Sequence, residues 1–223
     1  MTRLLLAGAT GLIGSGVLKL ILGDERVTQV VAPTRRPLAP HPKLLNPIAD
    51  STTLPRDAAW WAVDGAICAL GTTQAQAGSA AAFRAIDHDY ALAIATQVRK
   101  GGADRFALTS SLGANARSRF LYLRTKGELE DAVRRLDFRS LTILRPGFLG
   151  GDRSDVRPME RIVSTILRIT APILPASARI SPASTVAALL VKSVIDGRDG
   201  THVITSADIA AATVETEHQR QRL

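Results

Sequence analysis

Residues 3–16, RLLLAGATGLIGSG, constrain this chain more than any other stretch. An apolar run (Leu4, Leu5, Leu6) leads into three glycines (Gly8, Gly11, Gly14), and a helical pattern follows in Leu12, Ile13, Val17, Leu20 and Ile21. The order is strand, glycine turn, helix. Glycine lets the backbone approach a ligand closely because no Cβ intervenes. The first helical turn leaves N–H groups without intrahelical acceptors, and with the helix dipole these attract anions. The stretch therefore reads as a phosphate cradle in a dinucleotide-binding domain. Its spacing is G-x-x-G-x-x-G, one residue longer than the G-x-G-x-x-G fingerprint of dinucleotide folds. The flanking strand and helix, more than the glycines alone, carry the reading.

The alternation continues along the chain. Further strands are expected over 29–33, 43–49, 65–70, 105–109, 141–144 and 201–205, and helices over 57–62, 80–100, 120–136, 157–170 and 184–195. Residues 65–70, GAICAL, are nearly all apolar, as in a strand buried on both faces. Phe83, Ile86, Tyr90, Ile94 and Val98 share one helical face, which Gly101 and Gly102 bring to a stop. Trp60 and Trp61 are expected to pack on the sheet or a loop. Such a sequence implies parallel strands with helices on both faces and right-handed crossovers. The expected fold class is α/β: a Rossmann-type, doubly wound parallel sheet in a single domain. Its core would span about 1–150, with a small helical substrate-side region over about 151–223. Residues 172–182 are proline-rich, and the charged end, 215–223, is expected to fray.

Composition narrows the function classes. The net charge is +8, carried mostly by arginine, but the basic residues are scattered, with no run of five and little aromatic interleaving. A nucleic-acid partner is therefore not expected, and a solvated basic surface accounts for the charge. No apolar run reaches membrane-spanning length. With one cysteine, Cys68, no intramolecular disulfide can form, and in its apolar strand the thiol should be inert packing. No charged leader with an apolar segment precedes the glycine turn. These features read as a soluble, cytoplasmic protein. The four histidines (His41, His88, His202, His218) lack metal-ligand spacing, so no metal is expected.

In an open α/β sheet, ligands sit outside the carboxyl ends of the strands. Those ends gather the glycine turn, then Thr34, Arg35 and Arg36, then Asp50, then Leu70, Gly71, Thr72 and Thr73, then Ser110 and Ser111, and finally Pro146, Gly147 and Phe148. The end of the second strand selects the cofactor. An acid there bonds the ribose 2′-hydroxyl of NAD, whereas a base accepts a 2′-phosphate. Arg35 and Arg36 stand there without an acid, so NADP(H) is expected over NAD(H). Tyr122 and Lys126 are i and i+4 on the helix after the Ser110–Ser111 strand end, hence on one face. A neighbouring ammonium favours phenolate, and a serine hydroxyl can polarise a carbonyl beside it. That is equipment for proton transfer coupled to hydride transfer.

With these residues in place, the chain resembles an atypical short-chain dehydrogenase/reductase with the GATGLIG turn, close to its Tat-interacting-protein-like oxidoreductase branch. The narrower likeness is carried by ALGTT (69–73), SSLGA (110–114), FLYLRTKGELE (120–130), and RPGFLGGDR with RPMER within 145–161. It runs through roughly the first three quarters of the chain. The resemblance implies that Tyr122 is the catalytic acid/base and Lys126 its partner, which also bonds the nicotinamide ribose. Ser111 would be the catalytic serine, ahead of Ser110. Gly8, Thr10, Gly11, Leu12, Ile13 and Gly14 would cradle the pyrophosphate, Arg35 and Arg36 the adenosine phosphate, and Asp50 would lie near the adenine. Leu70, Gly71 and Thr72 would line the cofactor, with Pro146, Gly147 and Phe148 at its nicotinamide end. The asparagine that many members carry on the helix before the serine strand has no counterpart. Asp87, His88 and Asp89 occupy that helix instead.

The function expected is NADPH-dependent reduction of a small carbonyl-type substrate. The rival is an NADP(H)-sensing regulator that binds a protein partner without turnover. Monomer and homodimer, the latter through the helices over 80–100 and 120–136, both remain open.

Overall fold

Seven parallel strands make one sheet in the order β3-β2-β1-β4-β5-β6-β9. They are β1 (Thr2–Ala7), β2 (Val27–Val31), β3 (Leu44–Leu45), β4 (Gly65–Cys68), β5 (Arg105–Thr109), β6 (Ser140–Leu144) and β9 (Gly200–Ile204). A separate two-stranded ladder joins β7 (Leu149–Gly150) to β8 (Ser181–Pro182). The computed structural model describes residues 2–50, 54–150 and 181–220; the helix expected over 157–170 lies outside them.

Side-chain alternation explains how β1 serves two layers. Leu4 and Leu6 face one core with α1 (Leu12–Gly23) and α6 (Ala183–Asp196), where Val17, Ile21, Val186 and Leu190 are buried. Leu5 and Ala7 face the other, with Ala91, Ile94 and Val98 of α4 (Ala91–Lys100) and Leu129 and Val133 of α5 (Leu121–Arg134). With Leu4, Leu5, Leu6 and Ala7 buried on both faces, β1 belongs in the sheet centre. The strand order reverses between β1 and β4, and that crevice is where such sheets bind ligands.

Several elements differ from expectation for local reasons. The second strand begins and ends two residues early, because Pro33 has no N–H to give a ladder. The third shrinks to Leu44–Leu45, although an isolated bridge from Thr34 to Ile48 continues its direction. The helix expected over 57–62 is one 3₁₀ turn, Ala59–Trp61; Trp61 is buried and its indole N–H donates to the Pro55 carbonyl at 2.8 Å. A short helix, α2 (Gln74–Ala77), was not anticipated. The helix expected over 80–100 runs from α3 (Ala80–Arg84) into α4 through a π-helical stretch, Ala85–Tyr90. The charged end expected to fray is helical in α7 (Ser206–Arg220) as far as described. Thr205 and Asp208 cap it reciprocally: the Asp208 N–H donates to Thr205 Oγ1 at 3.3 Å and the Thr205 N–H to Asp208 Oδ2 at 2.8 Å.

Candidate active site

The glycine turn is closed by its own backbone. The Gly11 N–H donates to the Gly8 carbonyl at 3.0 Å, and Gly8 has φ +87°. A Cβ on Gly8 would come within 2.7 Å of the Ala69 carbonyl, so the turn lies against the end of β4. A Cβ on Gly14 would overlap the Gly8 carbonyl oxygen, so helix α1 starts hard against the turn. Gly11 is the N-cap of α1 and no side chain caps it. The amides of Leu12, Ile13 and Gly14 thus begin a helix whose first N–H groups have no intrahelical acceptor. Thr10 is exposed beside them. A tightly packed, half-buried turn opening onto an uncapped helix fits a pyrophosphate.

Past β2, Asn46 organises the loop. Its amide donates to the Ala32 carbonyl at 2.6 Å and to Thr34 Oγ1 at 2.8 Å, while its side-chain oxygen accepts from the Leu38 N–H at 2.8 Å. Thr34 Oγ1 in turn donates to the Arg36 carbonyl at 2.7 Å. This leaves Arg35 and Arg36 exposed at the strand end. Asp50 and Arg35 both act on Tyr90: burial pushes its phenol up, Asp50 adds to the push and Arg35 opposes it. Tyr90, noticed in the sequence only as an apolar helix position, therefore lies within electrostatic reach of Asp50 and Arg35.

At the end of β4 the loop of Leu70, Gly71 and Thr72 rests on a buried ion pair. Lys126 Nζ lies 2.7 Å from Asp87 Oδ1, with the two side chains 4% and 0% exposed. Asp87 Oδ2 accepts the Thr72 N–H at 2.8 Å. Asp87 sits on the π-helical stretch, whose wide turn re-aims side chains and recurs at functional sites. The Cys68 thiol nearby is pushed up to about 11 by burial, and the two charges of the pair pull on it in opposite senses.

The two serines separate cleanly. Ser110 is buried and its hydroxyl donates to Glu130 Oε1 at 2.6 Å. Glu130 also takes Arg145 Nε at 2.9 Å, an Arg145 terminal nitrogen at 2.6 Å and Arg134 at 3.1 Å. Ser111 is half-buried, and among the described residues its hydroxyl meets the adjacent Leu112 carbonyl, at 3.3 Å. The Ser110 hydroxyl is thus engaged in the support beneath the strand end, and that of Ser111 is not held by a side chain among the described residues. Tyr122 is half-buried, one helical turn before Lys126 on α5, with its ring 5.8 Å from that of Phe83. Gly127 lets the loop after Ser111 lie on α5, since a Cβ there would overlap the backbone of Asn115 and Ala116. Past β6, the Pro146 carbonyl accepts from the Leu112 N–H at 2.8 Å and the Gly147 N–H donates to Ser181 Oγ at 3.1 Å. Phe148 stands exposed beyond them.

The strand ends named from the sequence all lie at the carboxyl edge of this one parallel sheet. Reading the sequence missed Asn46, Tyr90, Glu130, Ser181 and the partnership of Asp87 with Lys126. Only Gly127, an isolated glycine in a helical pattern, left a signal of its own.

No protein-family model matches the chain. Among curated proteins it is 36% identical to "Protein fmp52, mitochondrial" of Emericella nidulans over 172 residues, 73% of each chain. It is 40% identical to "Protein HTATIP2" of Rattus norvegicus over 158 residues, 69% of this chain and 65% of that one. Among solved structures, MoeE5 in complex with UDP-glucuronic acid and NAD superposes with a TM-score of 0.70 at 19% identity, covering 91% of this chain and 75% of that chain. WbmH of Bordetella bronchiseptica in complex with NAD+ gives 0.66 at 15% identity, covering 98% and 82%. These structures share the Rossmann-type fold. The names of the FMP52 relatives overturn the cytoplasmic expectation: those of Emericella nidulans and Candida albicans are called mitochondrial. Cysteine count and surface charge carry no cellular address, which is why that reading failed. With relatives above 30% identity over most of both chains, the protein belongs to the atypical short-chain dehydrogenase/reductases, in the branch that holds FMP52 and HTATIP2.

Proposed function

We propose that this chain is an NADP(H)-dependent oxidoreductase that reduces a small carbonyl compound. The observation that carries the reading is that Ser111 follows the end of β5 while Tyr122 and Lys126 lie one turn apart on α5, in a sheet whose first strand runs into an uncapped glycine turn. Gly8, Gly11, Gly14 and the first amides of α1 would hold the pyrophosphate, Arg35 and Arg36 a 2′-phosphate, and the loop of Leu70, Gly71 and Thr72 the nicotinamide half. The bound nicotinamide supplies hydride. Ser111 Oγ–H would orient the substrate carbonyl by a hydrogen bond to its oxygen. The Tyr122 phenol would donate its proton to that oxygen, and Lys126 would stabilise the phenolate left behind. Pro146 and Phe148 would bound the substrate side.

Tyr122→Phe keeps the ring against Phe83 and removes only the phenolic hydroxyl, with the proton it would donate. Turnover with an active carbonyl compound should fall by about 10²- to 10⁴-fold, the usual worth of a positioned general acid. NADPH affinity, read by fluorescence titration, should hardly change. Full activity in this variant would overturn the assignment. NADPH that binds without oxidation across a broad carbonyl panel would favour the sensing role.

The cofactor preference has its own test. Arg35→Ala combined with Arg36→Ala should weaken NADPH binding by about 10- to 100-fold, the scale of lost charge-assisted bonds to phosphate. NADH binding should stay as it was. Equal loss for both cofactors would remove the 2′-phosphate from the reading.

A further inference from the structure

The Asp87–Lys126 pair is more than a counter-ion found by chance. Both groups are almost fully buried, on neighbouring helical elements, with Nζ 2.7 Å from Oδ1. That oxygen has no aligned hydrogen bond despite its burial, while Oδ2 is held by the Thr72 N–H at 2.8 Å. The pair also lies just beneath an exposed residue of the loop after β4. A Cβ on exposed Gly71 would lie 3.8 Å from Asp87 Oδ1 and 3.8 Å from Lys126 Nζ, so this glycine lies against both charges at the end of β4. An asparagine at 87 would still accept the Thr72 N–H through its amide oxygen. What the carboxylate adds is a negative charge opposite the ammonium.

That charge has a consequence for a cofactor whose two forms differ by one charge. The oxidised nicotinamide ring is cationic and the reduced ring is neutral. An unpaired, buried ammonium near the ring disfavours the oxidised form specifically, whereas a neutral pair does not. We propose that Asp87 acts through Lys126 as the positioning residue that sets the relative affinity for oxidised and reduced cofactor, by cancelling the ammonium charge beneath Gly71. The inference rests on the nucleotide reading given above.

The test is binding, not turnover. Dissociation constants for NADP+ and NADPH are measured by titration calorimetry on the wild type and Asp87→Asn. The ratio of the two constants should move by about tenfold or more against NADP+ in Asp87→Asn, since at an effective dielectric near 20 a single charge about 12 Å from the ring already exerts that much. NADPH affinity should change little. A merely structural role would weaken both forms alike, leaving the ratio unmoved, and that result overturns the inference. Should Asp87→Asn fail to fold, Lys126→Met carries the test from the other side. It leaves the carboxylate alone, and at mildly alkaline pH the ratio should tilt toward NADP+; an unmoved ratio there also overturns the inference. A wild type that binds neither form removes the nucleotide reading itself, and a wild type that binds both with an unmoved ratio in the variants removes only the role of Asp87.

Discussion

Glu130→Ala will lower the unfolding free energy by about 2 to 3 kcal/mol, seen as a fall in the denaturant midpoint at unchanged slope. Glu130 is 1% exposed and collects Ser110, Arg134 and Arg145. It ties the carboxyl ends of β5 and β6 to α5, so three elements that bear site residues share one carboxylate. Removing it leaves the Ser110 hydroxyl without its acceptor in a buried place, and two guanidinium groups without their common partner. The cost sits below that of a fully buried broken pair because both arginines keep about a third of their side chains in solvent. Glu130→Gln should cost less, since it still accepts from Ser110.

The same carboxylate makes a pH prediction. Burial alone would push the Glu130 carboxyl up, but hydrogen bonds from Arg145 and Ser110, with the arginine charges, more than offset it and hold it below the usual range. A carboxyl lowered by folding contributes stability above its unfolded value of about 4.3. That contribution is lost as pH falls through the folded value. The stability difference between wild type and Glu130→Ala should therefore be full near neutrality and shrink in acid, below about pH 4. A difference independent of pH would show that Glu130 works through packing.

The fold was legible because its determinants are local. The strand–glycine–helix start, the apolar run over 65–70 and the 3.6-residue pattern over 80–100 each name an element from within one window. Helix α7 could have been read too, since Thr205 followed three residues later by Asp208 is a capping signal that the charged composition of 215–223 obscured. Strand ends could be gathered into a site because parallel α/β topology puts them on one edge. What stayed hidden were pairings across the chain. Ser110 and Glu130 are twenty residues apart, Asp87 and Lys126 nearly forty, and nothing in either neighbourhood says which serine is spent on support or which lysine is neutralised. Asn46 is of this kind as well: it looks like an ordinary loop residue until Thr34 and Ala32 are seen to need it.

The glycine turn separates the architectural share of that site from the ligand-binding share, and two alanine variants can tell them apart. At Gly14 a Cβ would overlap the Gly8 carbonyl oxygen and lie 2.7 Å from its carbon and 3.2 Å from Ala9 Cα. All are backbone atoms, so the start of α1 must move away from the turn. Gly14→Ala should cost about 2 kcal/mol of stability, within the range for overpacking a rigid site, and should abolish measurable NADPH binding. At Gly11 the same Cβ meets only the Gly8 oxygen at 3.4 Å and the Ala69 oxygen at 4.0 Å, which is ordinary contact, and φ is −79°. The protein itself tolerates a side chain there, with a cost of about 0.5 to 1 kcal/mol for replacing a glycine N-cap. If a pyrophosphate lies on the turn, the backbone at Gly11 must stay bare for its approach. Gly11→Ala should then keep a near-normal denaturation midpoint while weakening NADPH by about tenfold or more, since a methyl group stands where the phosphates close on the helix amides. Unchanged NADPH affinity in a stable Gly11→Ala protein would mean that the turn is glycine-rich for packing alone.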